Sequence, residues 1–193
     1  MDKIEYFKDE LNYILNPKIK EFAEKAIVSL PDYFFIIPAS STGLYHPAYS
    51  LGDGGLVRHT RAAVRIAIEL TRMEDYRFTD ENIDLCIAAL LIHDGYKSGV
   101  IQQTYTQADH PLIIANELKK SKDLNEMLPQ DKFDTLLSLI IHHMGQWGSD
   151  GITEIDRPAT PMEKFVHLCD YLASRRCLTM EFGVEIKREP QYP

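Results

Sequence analysis

The stretch from Ile83 to Ile92 constrains the fold of this chain more than any other feature, because it is apolar almost all round. A helix that is apolar on every face has to be buried on every side. Apolar residues recur at helical spacing through most of the sequence, and strand-like alternation is confined to a few short pieces. The pattern therefore predicts an all-α protein with this helix in its interior.

The N-terminal region is predicted to form a helical pair. Apolar spacing predicts helices over 2–15 and 18–29, and Pro17 separates them. We interpret residues 1–39 as a brace or a lid for the rest of the chain. Residues 40–193 then form the main domain.

Capping signals and apolar stripes mark the remaining helices. One helix is predicted to start near Leu56, and the next is capped by Thr79 or Asp80. A third is capped by Asp109, with Pro111 in its first turn, and an apolar stripe from Phe133 to Met144 marks a fourth. A capping box from Thr160 to Glu163 opens a last helix that runs to about Met180. The segment 40–55 is rich in Gly, Ser and Pro and is predicted to be a loop. Its length is typical of functional loops.

Charge and cysteine usage exclude several classes of protein. The chain has 29 acidic and 21 basic residues, so its net charge of −8 does not attract a nucleic-acid backbone or an anionic membrane. Any phosphate site must be local. The cysteines Cys86, Cys169 and Cys177 lack CxxC spacing, which is typical of reduced thiols in the cytoplasm. No signal-peptide or membrane-spanning pattern occurs, so we expect a cytoplasmic protein.

Histidine and aspartate side chains are concentrated at predicted helix ends and inward faces. These residues are His59, the pair His93 and Asp94, His110, the pair His142 and His143, and Asp170. One such histidine would usually be a hydrogen-bonded core imidazole. A buried aspartate is costly unless it is paired or bound to a metal, and no simple structural role explains the whole set. This mixture of donors suits zinc, iron, manganese or nickel.

The order of these residues, H59…H93-D94…D170, resembles the defining motif of the HD-domain metal-dependent phosphohydrolase superfamily. The flanking segments GGLVRHT, LIHDGYKSG, IIHHMGQWG and RPATPMEKFVHLCDYL are similar to the HD domain of bacterial 3′-5′ exoribonucleases. The resemblance spans about residues 40–180. It implies an HD-domain helical bundle in which metal ligands converge from separate helices.

The resemblance also implies a ligand set for one or two divalent transition-metal ions, namely Mn, Fe, Ni, Zn or Co. One ion would be held by His59, His93, Asp94 and Asp170. Asp94 would bridge to a second ion held by His110 and by one or both of His142 and His143. Periodicity from Phe133 places His143 nearer the apolar face than His142, but it does not decide between them.

The implied activity is hydrolysis of a phosphate ester in a nucleotide or short oligonucleotide. A phosphodiesterase with a metal-bridging hydroxide as nucleophile is favoured, because paired cations neutralise phosphate oxygens and activate water. Asp94 and Lys97 are the implied catalytic residues, since Lys97 stands at the lysine position of the common HD-x-x-K pattern. The chain departs from the common HDIGK in having Gly95 and Tyr96 after the aspartate.

Further residues are candidates for substrate binding. They carry hydroxyl, imidazole or guanidinium groups, all of which can bind phosphate. They are Ser41 and Thr42 before Gly43, His46 in the same loop, and Arg175 and Arg176 after Asp170. Trp147 can stack a base. The alternative is a purely structural role, in which Ser41 and Thr42 form a turn and the two arginines are solvated side chains near a helix end.

Three alternatives remain open. One is a 3′-5′ exonuclease on long single strands, which is disfavoured because no basic stripe is visible. Another is an HD-type oxygenase that uses two irons in the same ligand cage. A non-catalytic binding module is disfavoured because the ligand set is intact. The expected partner is a small phosphorylated substrate, with a nucleotide favoured, and the oligomeric state is left open.

Overall fold

The computed structural model describes residues 2–148 and 155–188, and every regular element in these ranges is helical. The helices are α1 (Lys8–Leu11), α2 (Pro17–Ser29), α3 (Gly55–Leu70), α4 (Asp80–Ile92), α5 (His110–Lys120), α6 (Lys122–Asn125), α7 (Gln130–Ile141) and α8 (Pro161–Ala173). Short 3-10 turns lie at Glu5–Phe7, Asp32–Phe35, Ala48–Ser50, Glu74–Tyr76 and Gly145–Trp147. The predicted all-α class is confirmed. The outer bounds of the two predicted regions, 1–39 and 40–193, are residues 1 and 193, which lie outside the described residues.

Helix α4 forms the centre of the bundle. It packs against α2, α3, α7 and α8, and every residue from Ile83 to Ile92 is buried. The Thr79 hydroxyl caps the helix by accepting the backbone N–H of Asn82 at 3.3 Å. The predicted all-round burial is therefore confirmed. None of the helices in the described ranges combines the length and the hydropathy that a membrane crossing requires.

The N-terminal elements share one hydrophobic core with the rest of the bundle. Phe7, Phe22 and Phe34 are fully buried in the same cluster as the apolar residues of α4 and α8. Phe22 of α2 meets Phe133 of α7 edge to face, with ring centroids 6.1 Å apart. Removal of the N-terminal segment would therefore expose core side chains of the bundle.

The predicted helix over 2–15 is wrong in extent, because only the turn Glu5–Phe7 and the short α1 form there. The chain leaves the helical path where the backbone N–H groups of Leu15 and Asn16 donate to the Asp84 carboxylate at 3.1 and 2.7 Å. Asn16 then caps α2 from an extended conformation. These bonds to a distant aspartate outweigh local helical spacing.

Two other helix boundaries differ from prediction in one respect each. The capping box at Thr160 and Glu163 is present, but α8 ends at Ala173 rather than near Met180. The Tyr49 hydroxyl donates to the Ala173 carbonyl at 2.8 Å and so satisfies one of the free carbonyls at this helix end. Asp109 precedes α5 without capping it through its side chain. Its ψ of 12° lies outside the extended conformation that such a cap needs.

Candidate metal centre

Six histidine and aspartate side chains converge where the helices of the bundle end. His59 lies near the start of α3, His93 and Asp94 directly follow α4, His110 is the first residue of α5, His143 follows the end of α7, and Asp170 lies on α8. All are buried except Asp170, which is partly buried. Residues that are far apart in the chain are thus brought to one end of the central helix.

One group of ligand atoms gathers around His59 and His93. His59 Nε2 lies 2.9 Å from Asp170 Oδ1, and His93 Nε2 lies 3.5 Å from the same oxygen. Asp94 Oδ2 lies 3.4 Å from His93 Nε2 and 3.7 Å from His59 Nε2. One ligand atom each from His59, His93 and Asp94 lies within 4.8 Å of the others, which is compact enough to hold an ion.

A second group gathers around the other oxygen of Asp94. His110 Nε2 lies 2.9 Å and His143 Nε2 lies 3.6 Å from Asp94 Oδ1. The two histidine nitrogens are 3.1 Å apart. The two carboxylate oxygens of Asp94 therefore face different histidines, as in a carboxylate that bridges two ions.

Backbone carbonyls orient three of the histidines. The Nδ1 atoms donate at 2.7 Å to the carbonyl three residues earlier in each case: His93 to Leu90, His110 to Gln107 and His143 to Ile140. A neutral imidazole carries one N–H, so these bonds leave the Nε2 lone pairs facing the cluster. This is the usual arrangement of a metal-ligating histidine.

The cluster fits a divalent cation. Within the described residues, His93 Nε2 and Asp94 Oδ1 are buried and form no hydrogen bond. The lone pairs of His110 and His143 face each other at 3.1 Å, a contact that a cation between imidazole and carboxylate donors would stabilise. Nitrogen and carboxylate donors together suit Zn, Fe, Mn, Ni or Co.

Burial and neighbouring charges act on the cluster in opposite directions. Burial opposes ionisation of Asp94, but Lys97 and His93 hold the pKa of its carboxyl well below its usual range. Burial likewise opposes the charged form of His93, yet Asp94 and Asp170 raise its pKa to about 10. Burial lowers the pKa of His143 to about 4, so this imidazole is in the neutral form that ligates metals. The carboxylates thus stay charged and attract a cation.

A cavity of about 340 Å³ opens onto the cluster. Among the predicted substrate-binding residues, those that line it are Ser41, Thr42, His46 and Arg175. Arg176 is exposed and is not part of the lining. Burial, and after it the nearby charge of His59, lowers the pKa of His46 to about 4. A neutral imidazole therefore faces the cavity.

Lys97 also lines the cavity, and its Nζ lies 2.5 Å from Asp94 Oδ2. The turn that brings it there begins at Gly95, where a Cβ atom would lie 2.5 Å from the Leu30 side chain and 2.7 Å from that of Ile114. A larger residue at this position would crowd both side chains, and the turn directs the lysine at the aspartate.

His142 and His143 point to different places although they are adjacent. His142 Nδ1 donates to the Ser138 carbonyl at 2.8 Å and lies 3.4 Å from Glu163 Oε1, away from the two ligand groups. His143 contributes to the ligand group with Asp94 and His110, and a further possible group joins it to His93 and Asp170.

Several residues of the site were not predicted to belong to it by the sequence analysis. Thr106, Met144, Tyr171 and Ser174 line the cavity, and His167 donates from Nδ1 to the His143 carbonyl at 2.8 Å. The spacing of four residues between Asp170 and Ser174 is a helical signal that could have found Ser174. Thr106 lies in an irregular segment, which no periodicity locates.

Comparison with known proteins identifies the family of the chain. The model of the HD domain matches residues 56–175, a range that contains all six clustered ligands. No curated protein and no solved structure matches significantly. Members of the HD-domain family are metal-dependent hydrolases that act on phosphate esters. On this match, which covers more than half of its residues, the chain belongs to the HD-domain family of metal-dependent phosphohydrolases.

Proposed function

We propose that the chain hydrolyses a phosphodiester bond in a nucleotide or short oligonucleotide at a centre for two divalent ions. The observation that carries this proposal is the placement of Asp94, whose two oxygens face two different sets of histidines at 2.9 to 3.7 Å. A bridging carboxylate between two ions is the arrangement that in-line displacement at phosphorus uses.

The proposed ligands are His59, His93, Asp94 and Asp170 for one ion, and Asp94, His110 and His143 for the other. Bound divalent ions would neutralise phosphate oxygens and lower the pKa of a water ligand. Backbone acceptors for His93, His110 and His143 orient the rings before any ion arrives. The chain therefore supplies a preorganised anionic cluster at the base of the cavity.

Cationic side chains at the cavity support an anionic substrate. Lys97 and Arg175 line it, and both can donate to phosphate oxygens. The guanidinium of Arg175 is held by a 2.8 Å hydrogen bond to Ser174 Oγ. These local charges matter because the net charge of −8 repels phosphate from the rest of the surface.

The size and lining of the cavity favour a small substrate. About 340 Å³ is at the lower end of the range for small-molecule sites. The hydroxyls of Ser41 and Thr42 and the neutral imidazole of His46 are the lining groups proposed to bind the substrate or its attacking water. His46 Nδ1 is buried without a hydrogen bond among the described residues, so a donor or acceptor from substrate or solvent would satisfy it.

The test compares Asp94→Ala with Asp109→Ala in metal-loaded protein. Asp94→Ala should abolish hydrolysis of bis(p-nitrophenyl) phosphate and of a dinucleotide, because it removes the carboxylate shared by both ligand groups. Asp109 is exposed and makes no capping bond, so its variant should stay within about twofold of wild type. Circular dichroism checks the helix content of both variants. Wild-type protein that is inert to every phosphoester but consumes oxygen with two irons would replace this proposal with the oxygenase alternative.

A further inference from the structure

The single tryptophan of the chain stands at the wall of the same cavity. Trp147 lies at the end of the turn Gly145–Trp147 and is 45% exposed. Its ring is parallel to that of Tyr171, with centroids 5.5 Å apart and an interplanar angle of 8°. Tyr171 directly follows Asp170 on α8, so this aromatic pair adjoins the ligand cluster.

Backbone geometry fixes the turn that carries Trp147. Gly145 has a φ of +62°, and a Cβ atom there would lie 2.2 Å from the His167 ring, so only glycine allows this approach. The same His167 ring lies 5.9 Å from Trp147 and donates to the backbone carbonyl of His143. The indole is therefore held in position relative to a proposed metal ligand before substrate binds.

A cation completes this wall. The guanidinium carbon of Arg175 lies 4.2 Å from the centroid of the Tyr171 ring. Arg175 also donates to Ser174 Oγ and to the Tyr171 carbonyl, at 2.8 and 3.2 Å. Stacked rings with an adjacent guanidinium are the groups with which proteins bind unpaired bases.

We propose that Trp147, supported by Tyr171, is the base-stacking platform that makes the site select nucleotides over simple sugar or alkyl phosphates. A metal ion or a phosphate group does not stack on an aromatic ring, whereas a nucleobase presents a flat π face that does. Stacking on such a surface is tolerant of base identity. The proposal rests on the proposed function only in placing the phosphate at the His/Asp cluster.

Binding is measured first, because Trp147 is itself the reporter. Wild-type protein is titrated with adenosine 5′-monophosphate and with ribose 5-phosphate, which lacks the base, while indole fluorescence is excited at the red edge of its absorption. The nucleotide should change the emission, and ribose 5-phosphate should leave it nearly unchanged. Calorimetry on the same samples gives both affinities. Nucleotide binding without a change in emission, or no nucleotide binding at all, would overturn the proposal.

Variants test the selectivity. Trp147→Leu should weaken binding of adenosine 5′-monophosphate by about 5- to 150-fold and leave ribose 5-phosphate within about twofold. Trp147→Phe should retain most of the affinity because it keeps a stacking ring. Tyr105→Leu removes an aromatic that is 68% exposed and is not part of the cavity lining, so it should change neither affinity. Equal losses for both ligands in Trp147→Leu would show a structural role and overturn the proposal.

Hydrolysis assays separate this inference from the proposed function. Metal-loaded wild type and Trp147→Leu are compared on thymidine 5′-monophosphate p-nitrophenyl ester and on methyl p-nitrophenyl phosphate, which share a leaving group. A fall in kcat/KM for the nucleotide ester alone supports the platform. Selective nucleotide binding without hydrolysis of any ester would refute the proposed function and leave the platform standing. If wild type hydrolyses both esters and Trp147→Leu shows no selective loss for the nucleotide ester, the platform is refuted and the proposed function stands.

Discussion

The adjacent residues His142 and His143 offer the sharpest perturbation of the metal centre. His143 belongs to the ligand group with Asp94 and His110, whereas His142 is hydrogen-bonded to the Ser138 carbonyl. His143→Ala removes one of three ligands from that group. His142→Ala makes the same chemical change one residue away and is the matched control.

The expected size of the effect follows from linkage. An ion present at 100 times its Kd stabilises the fold by about 2.7 kcal/mol. In a chain of this length each kcal/mol moves Tm by about 2–4 °C, so one ion should raise Tm by about 5–11 °C. Loss of a ligand should weaken metal binding at least about 100-fold, because removal of a residue that only hydrogen-bonds to a ligand already lowers metal affinity about 10- to 100-fold. The rise due to that ion then shrinks to about 1–2 °C.

Thermal unfolding with and without added metal is the assay, together with elemental analysis of the desalted protein. Wild type and His142→Ala should each retain two ions and the full rise in Tm. His143→Ala should retain one ion, because the group of His59, His93 and Asp94 is intact. A lost ion in His142→Ala with none lost in His143→Ala would refute the ligand assignment. An equal ion content in all three proteins would refute the second ion site.

Two further predictions concern charged side chains. Glu10→Gln should destabilise the fold by about 3 kcal/mol in urea unfolding, because it leaves the guanidinium of Arg65 buried without its main counter-charge; a change below about 1 kcal/mol would contradict this. Lys97→Met should lower turnover about 10- to 1000-fold if Nζ donates to the substrate. Its metal content should not fall, since the lost ammonium group lies against a ligand, Asp94, and competes with cations for it. A kcat/KM near that of wild type with full metal would remove Lys97 from the mechanism.

The fold was predictable where burial leaves a periodic signal. The apolar helix from Ile83 to Ile92 identified the centre of the bundle, and the capping box at Thr160 identified the start of α8. The irregular start of the chain was not predictable, because it depends on Asp84, a residue almost 70 positions away. Local spacing contains no information about such a partner.

The candidate site was predictable at the level of residue types and not at the level of contacts. The count of histidines and aspartates indicated a metal cluster, but the adjacent His142 and His143 carry the same chemistry and differ only in direction. That direction is set beyond the end of α7, where helical periodicity no longer applies. The parallel stack of Trp147 on Tyr171 joins two segments that no sequence period relates.

The buried carboxylates of the described chain divide into two kinds, and the division supports the metal interpretation. Outside the cluster, Glu10 pairs with Arg65 and Asp84 pairs with Arg188. Glu163 accepts the Ser138 hydroxyl and the backbone N–H groups of Ala159 and Thr160. Asp84 also accepts two backbone N–H groups. These carboxylates are satisfied by the chain itself and need no ligand to remain buried.

Inside the cluster the balance is different. Asp94 and Asp170 face histidines, and Lys97 is the cationic side chain recorded in contact with either of them. Three of the histidines donate from Nδ1 to backbone carbonyls, so the Nε2 atom of each ring is an acceptor when that ring is neutral. Acceptors facing carboxylates in a buried site are unfavourable unless protons or metal ions lie between them. The same helix α4 thus carries a carboxylate paired with arginine near its start and, just beyond its end, one that faces Lys97 and the histidines of the cluster and is placed to bind a metal ion.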